Sequence, residues 1–172
     1  MTFKERMLGC ARLDRATFEE VEHDPAATMP ALGVVVLSSV AAGIGSGARA
    51  TSIVVGILVA LAAWYVWAFL TYWVGTRLLP EPQTSATHGE LLRVIGFSSV
   101  PGILRVLGIV PGLRAIVFLV TSIWMLVAGV VGVRQALDYR STGRAVAVVA
   151  IGWVVQWAVM LLFLALMAPG AH

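Results

Sequence analysis

The sequence has few residues that carry chemistry. Only 12% of its 172 residues are charged, and it contains one cysteine, three histidines and a single lysine, Lys4. Because Cys10 is the only cysteine, the chain can form neither an internal disulfide nor a metal site built from several cysteine thiolates. Soluble domains carry roughly 25% charged residues, so this composition argues against a soluble protein.

The long apolar runs lack the groups that catalysis inside a membrane needs. Their interiors contain no Asp, Glu or His, which excludes a carboxylate dyad and a carboxylate proton relay. Ser98 and Ser99 lie at membrane depth, but an activated serine needs a neighbouring base and none is available. We therefore predict that the chain is not an enzyme and binds no cofactor and no metal.

What the sequence does contain is hydrophobic residues, at 59% of the chain, with a mean hydropathy of +0.91. These residues form runs long enough to cross a bilayer as helices. We predict an all-α, polytopic membrane helical bundle: a cytoplasmic N-terminal segment at 1–24, then a five-span domain at 25–172. The predicted spans cover about 29–47, 52–75, 89–108, 113–133 and 145–167.

The N-terminal segment has an amphipathic pattern. Phe3, Met7 and Ala11 recur every fourth residue, and a second short helix, capped by Asp14, places Phe18 and Val21 on one face. We expect this segment to lie on the membrane surface as an interfacial helix. A Glu-x-x-His pattern within it, Glu20 to His23, is weak evidence for a metal site and is more typical of a solvated acidic face.

The charges predict the orientation. With the N-terminus inside, nine Lys and Arg residues lie on the cytoplasmic side and only Arg49, Arg105 and Arg114 lie outside. Cytoplasmic loops carry the excess of basic residues, so this count predicts a cytoplasmic N-terminus and, with five spans, an external C-terminus. The basic balance does not indicate nucleic-acid binding, because the arginines lie at span ends.

The third span carries an unusual set of residues. Pro101 removes a backbone donor and crowds the carbonyl of Phe97, so we predict a kink, with Ser98 and Ser99 as local donors to the freed carbonyls. Arg105 lies close enough to the span's end to snorkel to the interface, which we prefer to the alternative of a cation that faces the bundle.

Two sets of residues are candidate sites. Five arginines on the cytoplasmic side form a possible basic face for lipid headgroups: Arg77, Arg93, Arg134, Arg140 and Arg144. Mid-membrane tryptophans and polar residues form a candidate pocket or kink: Ser98, Ser99, Pro101, Arg105, Trp124 and Gln156, with Trp64, Trp67, Trp153 and Trp157 nearby. Ordinary bundle packing is the alternative for the second set.

Several runs resemble the Yip-domain family, the Ypt-interacting-protein-like membrane proteins of bacterial type. The resemblance extends over most of the chain. The runs that carry it are Phe18–Asp24, Tyr72–Gly75, Leu92–Pro101, Ile109–Gly112, Trp124, Val131–Ala136 and Ser141–Ala145. It implies a five-span bundle with a cytoplasmic N-terminus. Eukaryotic relatives act in vesicle trafficking and contact small GTPases of the Rab type. They carry a longer cytoplasmic N-terminal region than this chain has.

The expected function is that of a non-enzymatic membrane protein that organises lipids or partner proteins in a bacterial cytoplasmic membrane. The expected partners are membrane lipids, anionic ones included, with other membrane proteins or a second copy of the chain as alternatives. A small transporter or channel component with a kinked third span is the alternative function. The absence of buried carboxylates in the spans argues against a transporter or channel.

Overall fold

The computed structural model describes residues 1–167, and these contain helices and connecting turns but no β-strand. The helices are α1 (Phe3–Ala11), α2 (Arg15–His23), α3 (Thr28–Ser46), α4 (Ala50–Trp73), α5 (His88–Phe97), α6 (Arg114–Ala136) and α7 (Thr142–Met167). Three shorter segments join them: a 3₁₀ turn (Pro25–Ala27), a π-helical turn (Val74–Leu78) and a 3₁₀ segment (Val100–Ile109).

The helices have the length and composition of membrane spans. Four of them are long and apolar enough to cross a bilayer: Pro25–Ser46, Ala50–Leu78, His88–Ile109 and Arg114–Ala136. A shorter apolar stretch, Thr142–Val155, begins α7. The predicted fold class, an all-α membrane helical bundle, is confirmed. The division of the chain into 1–24 and 25–172 stays a prediction.

The ends of the bundle differ. The connections 47–49 and 110–113 are tight turns, and we call this the turn end. In the second of them Gly112 has a φ of 83°, which fits a turn at the Pro111-Gly112 pair. The loops 79–87 and 137–141 lie at the opposite end, which we call the loop end. There a capping box precedes the third span: Thr87 Oγ1 accepts from Glu90 N at 3.3 Å, and Glu90 Oε2 accepts from Thr87 N at 2.8 Å.

The third span breaks where the sequence predicts a kink. α5 ends at Phe97, and the chain continues as ten residues of 3₁₀ helix, although such runs rarely exceed about four residues. Ser99 Oγ donates to Ile95 O at 3.4 Å, and this carbonyl has lost its helical donor because Ser99 N bonds Gly96 O instead. Ser98 Oγ donates to Val94 O at 2.7 Å, but this carbonyl also keeps its helical donor, Ser98 N, at 2.9 Å. The prediction that the serines serve freed carbonyls therefore holds for Ser99 and not for Ser98.

α3 packs along the third span at very short range. A Cβ built on Gly45 would meet the carbonyl oxygen of Arg105 at 1.8 Å, and one on Gly102 would meet Ser38 Oγ at 2.1 Å. These tight contacts were not predicted from the sequence. Gly102 and Gly108 are six residues apart within the 3₁₀ segment, where three residues per turn place such positions on one face.

The N-terminal segment, which we call the arm (residues 1–24), packs on the bundle. Phe18 and Val21 are fully buried, and the Phe18 ring lies where a Cβ on Gly132 of α6 would touch it at 3.1 Å. The apolar face of α2 therefore contacts α5 and α6, while the position of the segment on the membrane surface stays a prediction.

Side chains of the bundle hold the arm through its backbone carbonyls. Arg93 of α5 is buried and donates from Nε to Val21 O at 3.1 Å and to Glu22 O at 3.0 Å, and from Nη2 also to Glu22 O. Trp124 Nε1 of α6 donates to Ala11 O at 2.8 Å. Since Trp124 lies midway along α6, the end of α1 lies beside the bundle and not beyond its end.

Ion pairs close the arm on itself. Arg6 of α1 is buried and pairs with Glu20 of α2, Nη2 to Oε1 at 2.7 Å, and with Asp24 at the start of the first span. The N-terminal amine also pairs with Glu20, at 3.2 Å. These pairs cross-link α1, α2 and the entry to α3 into one unit.

Candidate functional site

A cleft opens between the first four spans. It consists of a cavity of about 620 Å³ between α3, α4 and the 3₁₀ segment, and a second of about 420 Å³ that reaches α6 and α7. The two share Trp67, Ile95, Ser99, Arg105 and Met125, so they form one continuous space. We refer to both cavities together as the cleft.

Small residues on one face of α4 create this space. Gly56, Ala60 and Ala63 line the cleft at spacings of four and three residues, which places them on one helical face. A Cβ on Gly56 would meet nothing within 4 Å. The facing part of α3 is also small, with Ser39, Ala42 and Gly43 along the cleft. Two helices with small facing residues, held apart at this level, leave a gap that their own side chains do not fill.

The hydroxyls that line the cleft are partly used by the backbone. Ser39 Oγ donates to Val35 O at 2.9 Å, and Ser46 Oγ donates to Gly43 O at 2.9 Å. Each of these oxygens keeps lone pairs that can accept from a ligand. The wall is therefore apolar with a few polar groups, as is usual for sites that bind small amphiphilic molecules.

Arg105 is the charged group of the cleft. Its Nε donates to Thr121 Oγ1 at 3.2 Å, its Nη2 donates to Ser122 Oγ at 2.8 Å, and its guanidinium carbon lies 5.4 Å from the centre of the Phe118 ring. The side chain thus points across to α6 and lines both cavities, which corrects the preferred expectation that it snorkels to the interface. A cation at membrane depth costs roughly 2.5–3.5 kcal/mol at a span's centre, so it needs a compensating environment.

Trp67 brings a second polar group to the cleft wall. Its indole Nε1 is buried and has no hydrogen-bond partner in the described part of the chain, and neither has the buried Thr71 Oγ1 one turn further. Both atoms lie near Gly152 of α7, whose Cβ would be 3.2 Å from Trp67 Nε1. By contrast Trp64 Nε1 donates to Leu92 O at 2.9 Å. Both tryptophans face other helices, as predicted.

The five arginines predicted to form a basic face do not act alike. Arg93 is only 7% exposed and holds the arm, so it is not available to a headgroup. Arg134 is half-buried and donates to Tyr139 O at 3.1 Å and Arg140 O at 2.9 Å, which ties the end of α6 to the loop that follows it. Arg77, Arg140 and Arg144 are exposed at the loop end.

The predicted pocket residues also divide. Ser98, Ser99, Arg105 and Trp153 line the second cavity. Pro101 is buried at the break between α5 and the 3₁₀ segment. Trp124 belongs to the arm's docking surface instead, because its N–H is used by Ala11. The side chains of Gln156 and Trp157 lie outside the described residues.

The loop end is held together by Tyr139 and Glu81. Tyr139 Oη donates to Gly75 O at 2.9 Å and to Leu79 O at 2.7 Å, carbonyls at the π-helical turn that ends α4. Burial raises the pKa of Tyr139 to about 12, so the hydroxyl stays a donor. Glu81 accepts from Arg140 N at 3.0 Å, and this backbone donor is the main reason that the pKa of Glu81 is lowered.

Other ionisable groups of the arm serve its structure. The sequence pair Glu20 and His23 does not form a metal site, because Glu20 pairs with Arg6 while His23 Nδ1 lies 2.8 Å from Glu19 O. In the residues described, no group of three or more His, Cys, Asp or Glu residues is placed to hold a metal ion. Burial raises the pKa of the Cys10 thiol to about 12, so that fully buried side chain stays protonated.

Comparison with known proteins gives one match. A family model described as the Yip1 domain matches residues 14–168, which is most of the chain and includes α2 together with all five apolar helices. No curated protein matches the chain, and no solved structure matches it. The matched region contains every residue that lines the cleft.

Proposed function

The chain belongs to the Yip1 domain family, and from this we propose that it is a non-enzymatic integral membrane protein that holds and organises membrane lipid. The family match and the apolar helices place it among membrane proteins. The cleft between α3, α4 and the third span is the observation that carries the proposed lipid role.

The shape of the cleft fits a lipid segment. Ligand pockets in proteins typically measure about 300–1,000 Å³, and the larger cavity alone, about 620 Å³, falls within that range. Small residues such as Gly56 and Ala60 give it an apolar floor, and the hydroxyls of Ser39 and Ser99 add isolated polar groups. An acyl chain with a polar group at one end matches this combination.

The exposed arginines support contact with a charged leaflet. Arg77, Arg140 and Arg144 lie at the loop end, where each is worth about 1 kcal/mol against an anionic surface. Together with the excess of basic residues on that side, they support a cytoplasmic loop end in a bacterial cytoplasmic membrane. The N-terminus would then be cytoplasmic and the C-terminus outside.

The lipid role is tested by filling the cleft. Gly56→Leu adds a side chain into open space that lines the cleft, so we expect the purified protein to retain less lipid in native mass spectrometry. Gly33→Leu is the matched control, because Gly33 also has open space around it but does not line either cavity. Equal retention in both variants and the unchanged protein would refute a lipid site in the cleft.

A transporter or channel component is the second candidate, and the ten-residue 3₁₀ segment favours it. Long 3₁₀ stretches inside a span often mark a hinge. Under this alternative, liposomes that contain the protein leak a small solute, and Pro101→Ala abolishes the flux. Liposomes that stay impermeable with the unchanged protein would rule this candidate out.

A further inference from the structure

Arg105 forms no ion pair within residues 1–167. Its hydrogen-bond partners are the hydroxyls of Thr121 and Ser122, which are neutral. The hydroxyls orient the guanidinium but leave its charge uncompensated.

The distribution of acidic residues explains why no carboxylate is available. All nine Asp and Glu residues of the chain lie in the arm or at the loop end: Glu5, Asp14, Glu19, Glu20, Glu22, Asp24, Glu81, Glu90 and Asp138. The turn end has arginines and no Asp or Glu side chain. Within residues 1–167, no carboxylate side chain is therefore placed to compensate the charge of Arg105.

We infer that the cleft takes an anionic amphiphile, whose phosphate or carboxylate head pairs with Arg105 while its acyl chain lies along α4. This inference rests on the proposed lipid role and adds the charge of the ligand to it. Two of the five guanidinium N–H donors serve Thr121 and Ser122, and the planar group can offer a pair of donors to an acid.

Two further arginines at the turn end favour an anionic ligand. The carbonyl of Arg105 lies against Gly45, two residues before α3 reaches its C-cap at Gly47. Arg114 reaches the same place, with its Nη2 3.6 Å from where a Cβ on Gly47 would lie. Arg49 begins α4 there and is exposed. An anionic head that enters at the turn end passes these two cations before it reaches Arg105.

The walls between the entrance and Arg105 suit such a ligand. Ser46 and Ser52 line the cleft near the turn end, and Trp67, Ile95 and Met125 line it beyond Arg105. Polar groups thus lie at one end of the space and large apolar side chains at the other. An amphiphile matches both ends at once, whereas a small inorganic anion leaves the apolar part without a partner.

The test uses the full chain in detergent and an equimolar mixture of three lipids with the same acyl chains: phosphatidic acid, phosphatidylcholine and diacylglycerol. We expect native mass spectrometry to show phosphatidic acid retained about tenfold over the other two, since a charge-assisted hydrogen bond adds roughly this factor. Arg105→Gln should remove the preference while the neutral lipids are still retained. Arg12→Gln, which removes an exposed arginine of the arm, should leave the preference unchanged.

The outcomes separate this inference from the proposed function. A preference that persists in Arg105→Gln, or its absence from the unchanged protein, overturns the inference but leaves lipid binding in place. Loss of all three lipids from Gly56→Leu supports the proposed lipid role and does not bear on the charge of the ligand.

Excess inorganic phosphate identifies the source of the anion. If the phosphate abolishes the preference, the site takes a free anion and the amphiphile is refuted; unaltered retention of phosphatidic acid supports the lipid.

Should Arg105→Gln fail to fold, Arg105→Lys and Ser122→Ala test the same position. We expect the preference to be kept in the first variant and reduced in the second. A preference that Ser122→Ala leaves unchanged overturns the role of the Arg105 side chain that Ser122 orients.

Discussion

Arg93 donates two hydrogen bonds from Nε and Nη2 to the carbonyl oxygen of Glu22, and so a side chain of the third span holds the backbone of the arm. This pair joins two parts of the chain that are about seventy residues apart in sequence. Arg93, which was predicted to contact lipid headgroups, therefore has a structural role instead. It also gives the arm a fixed position on the bundle.

Removal of the Arg93 guanidinium should loosen the arm. Without it the carbonyls of Val21 and Glu22 lose their donors, and an unpaired buried group costs about 1–3 kcal/mol. We expect Arg93→Gln to raise amide hydrogen exchange in residues 1–24 by about tenfold or more, measured by mass spectrometry. Arg140→Gln is the control and should exchange like the unchanged protein. Equal protection of the arm in both variants would contradict this role of Arg93.

The docking of the arm should depend on pH through Glu22. This side chain is 5% exposed, and its pKa is raised to about 7, chiefly by burial. Nearby charges act on it too: His23 lowers the pKa, and Glu90, Asp138 and Glu19 raise it. The docked arm therefore binds a proton that the free arm, with a carboxyl pKa near 4.5, does not hold.

The sign of this linkage sets the pH window. The proton's contribution is fully present below pH 4.5, falls as pH rises, and is lost above about 7. We expect hydrogen exchange in the arm, corrected for its intrinsic pH dependence, to increase between these values. Glu22→Gln should flatten the profile. A profile that keeps its full slope in Glu22→Gln would assign the effect to another group.

The loop end offers a test of buried hydrogen bonds. Tyr139→Phe removes the hydroxyl that serves Gly75 O and Leu79 O at the π-helical turn. We expect a loss of about 1–3 kcal/mol in the free energy of unfolding, measured by denaturation in detergent micelles. Tyr65→Phe is the control, because Tyr65 is 56% exposed. Equal losses in the free energy of unfolding in the two variants would show that the hydrogen bonds of Tyr139 do not stabilise the fold.

Local rules predicted much of this fold. Apolar runs and Pro101 placed the helices and the break, and Asp14 formed the predicted cap of α2 because capping depends on neighbours three residues away. The Ser99 donor at the break also followed from local geometry.

The cleft and the docked arm could not be predicted in the same way. The direction of Arg105 depends on the position of α6, and burial of Arg93 depends on a segment about seventy residues earlier. A basic residue near a span's end looks the same in sequence whether it faces lipid, a neighbouring helix or a folded arm. The spacing of Gly102 and Gly108 was informative only once Val100–Ile109 was known to be 3₁₀ helical.

The central claim is that an anionic amphiphile occupies the cleft, and photolabelling in vesicles tests it most directly. Phosphatidic acid with a diazirine in its acyl chain would be crosslinked to the membrane-embedded protein and the adducts mapped by mass spectrometry. Gly56, Ala60 and Ala63 report the cleft face of α4, while the exposed Val55 and Val59 report its outer face. We predict that excess unlabelled phosphatidic acid, but not phosphatidylcholine, displaces the label from the cleft face and leaves the outer face unaffected. Labelling that falls equally on both faces, or that neither lipid displaces, would contradict the account.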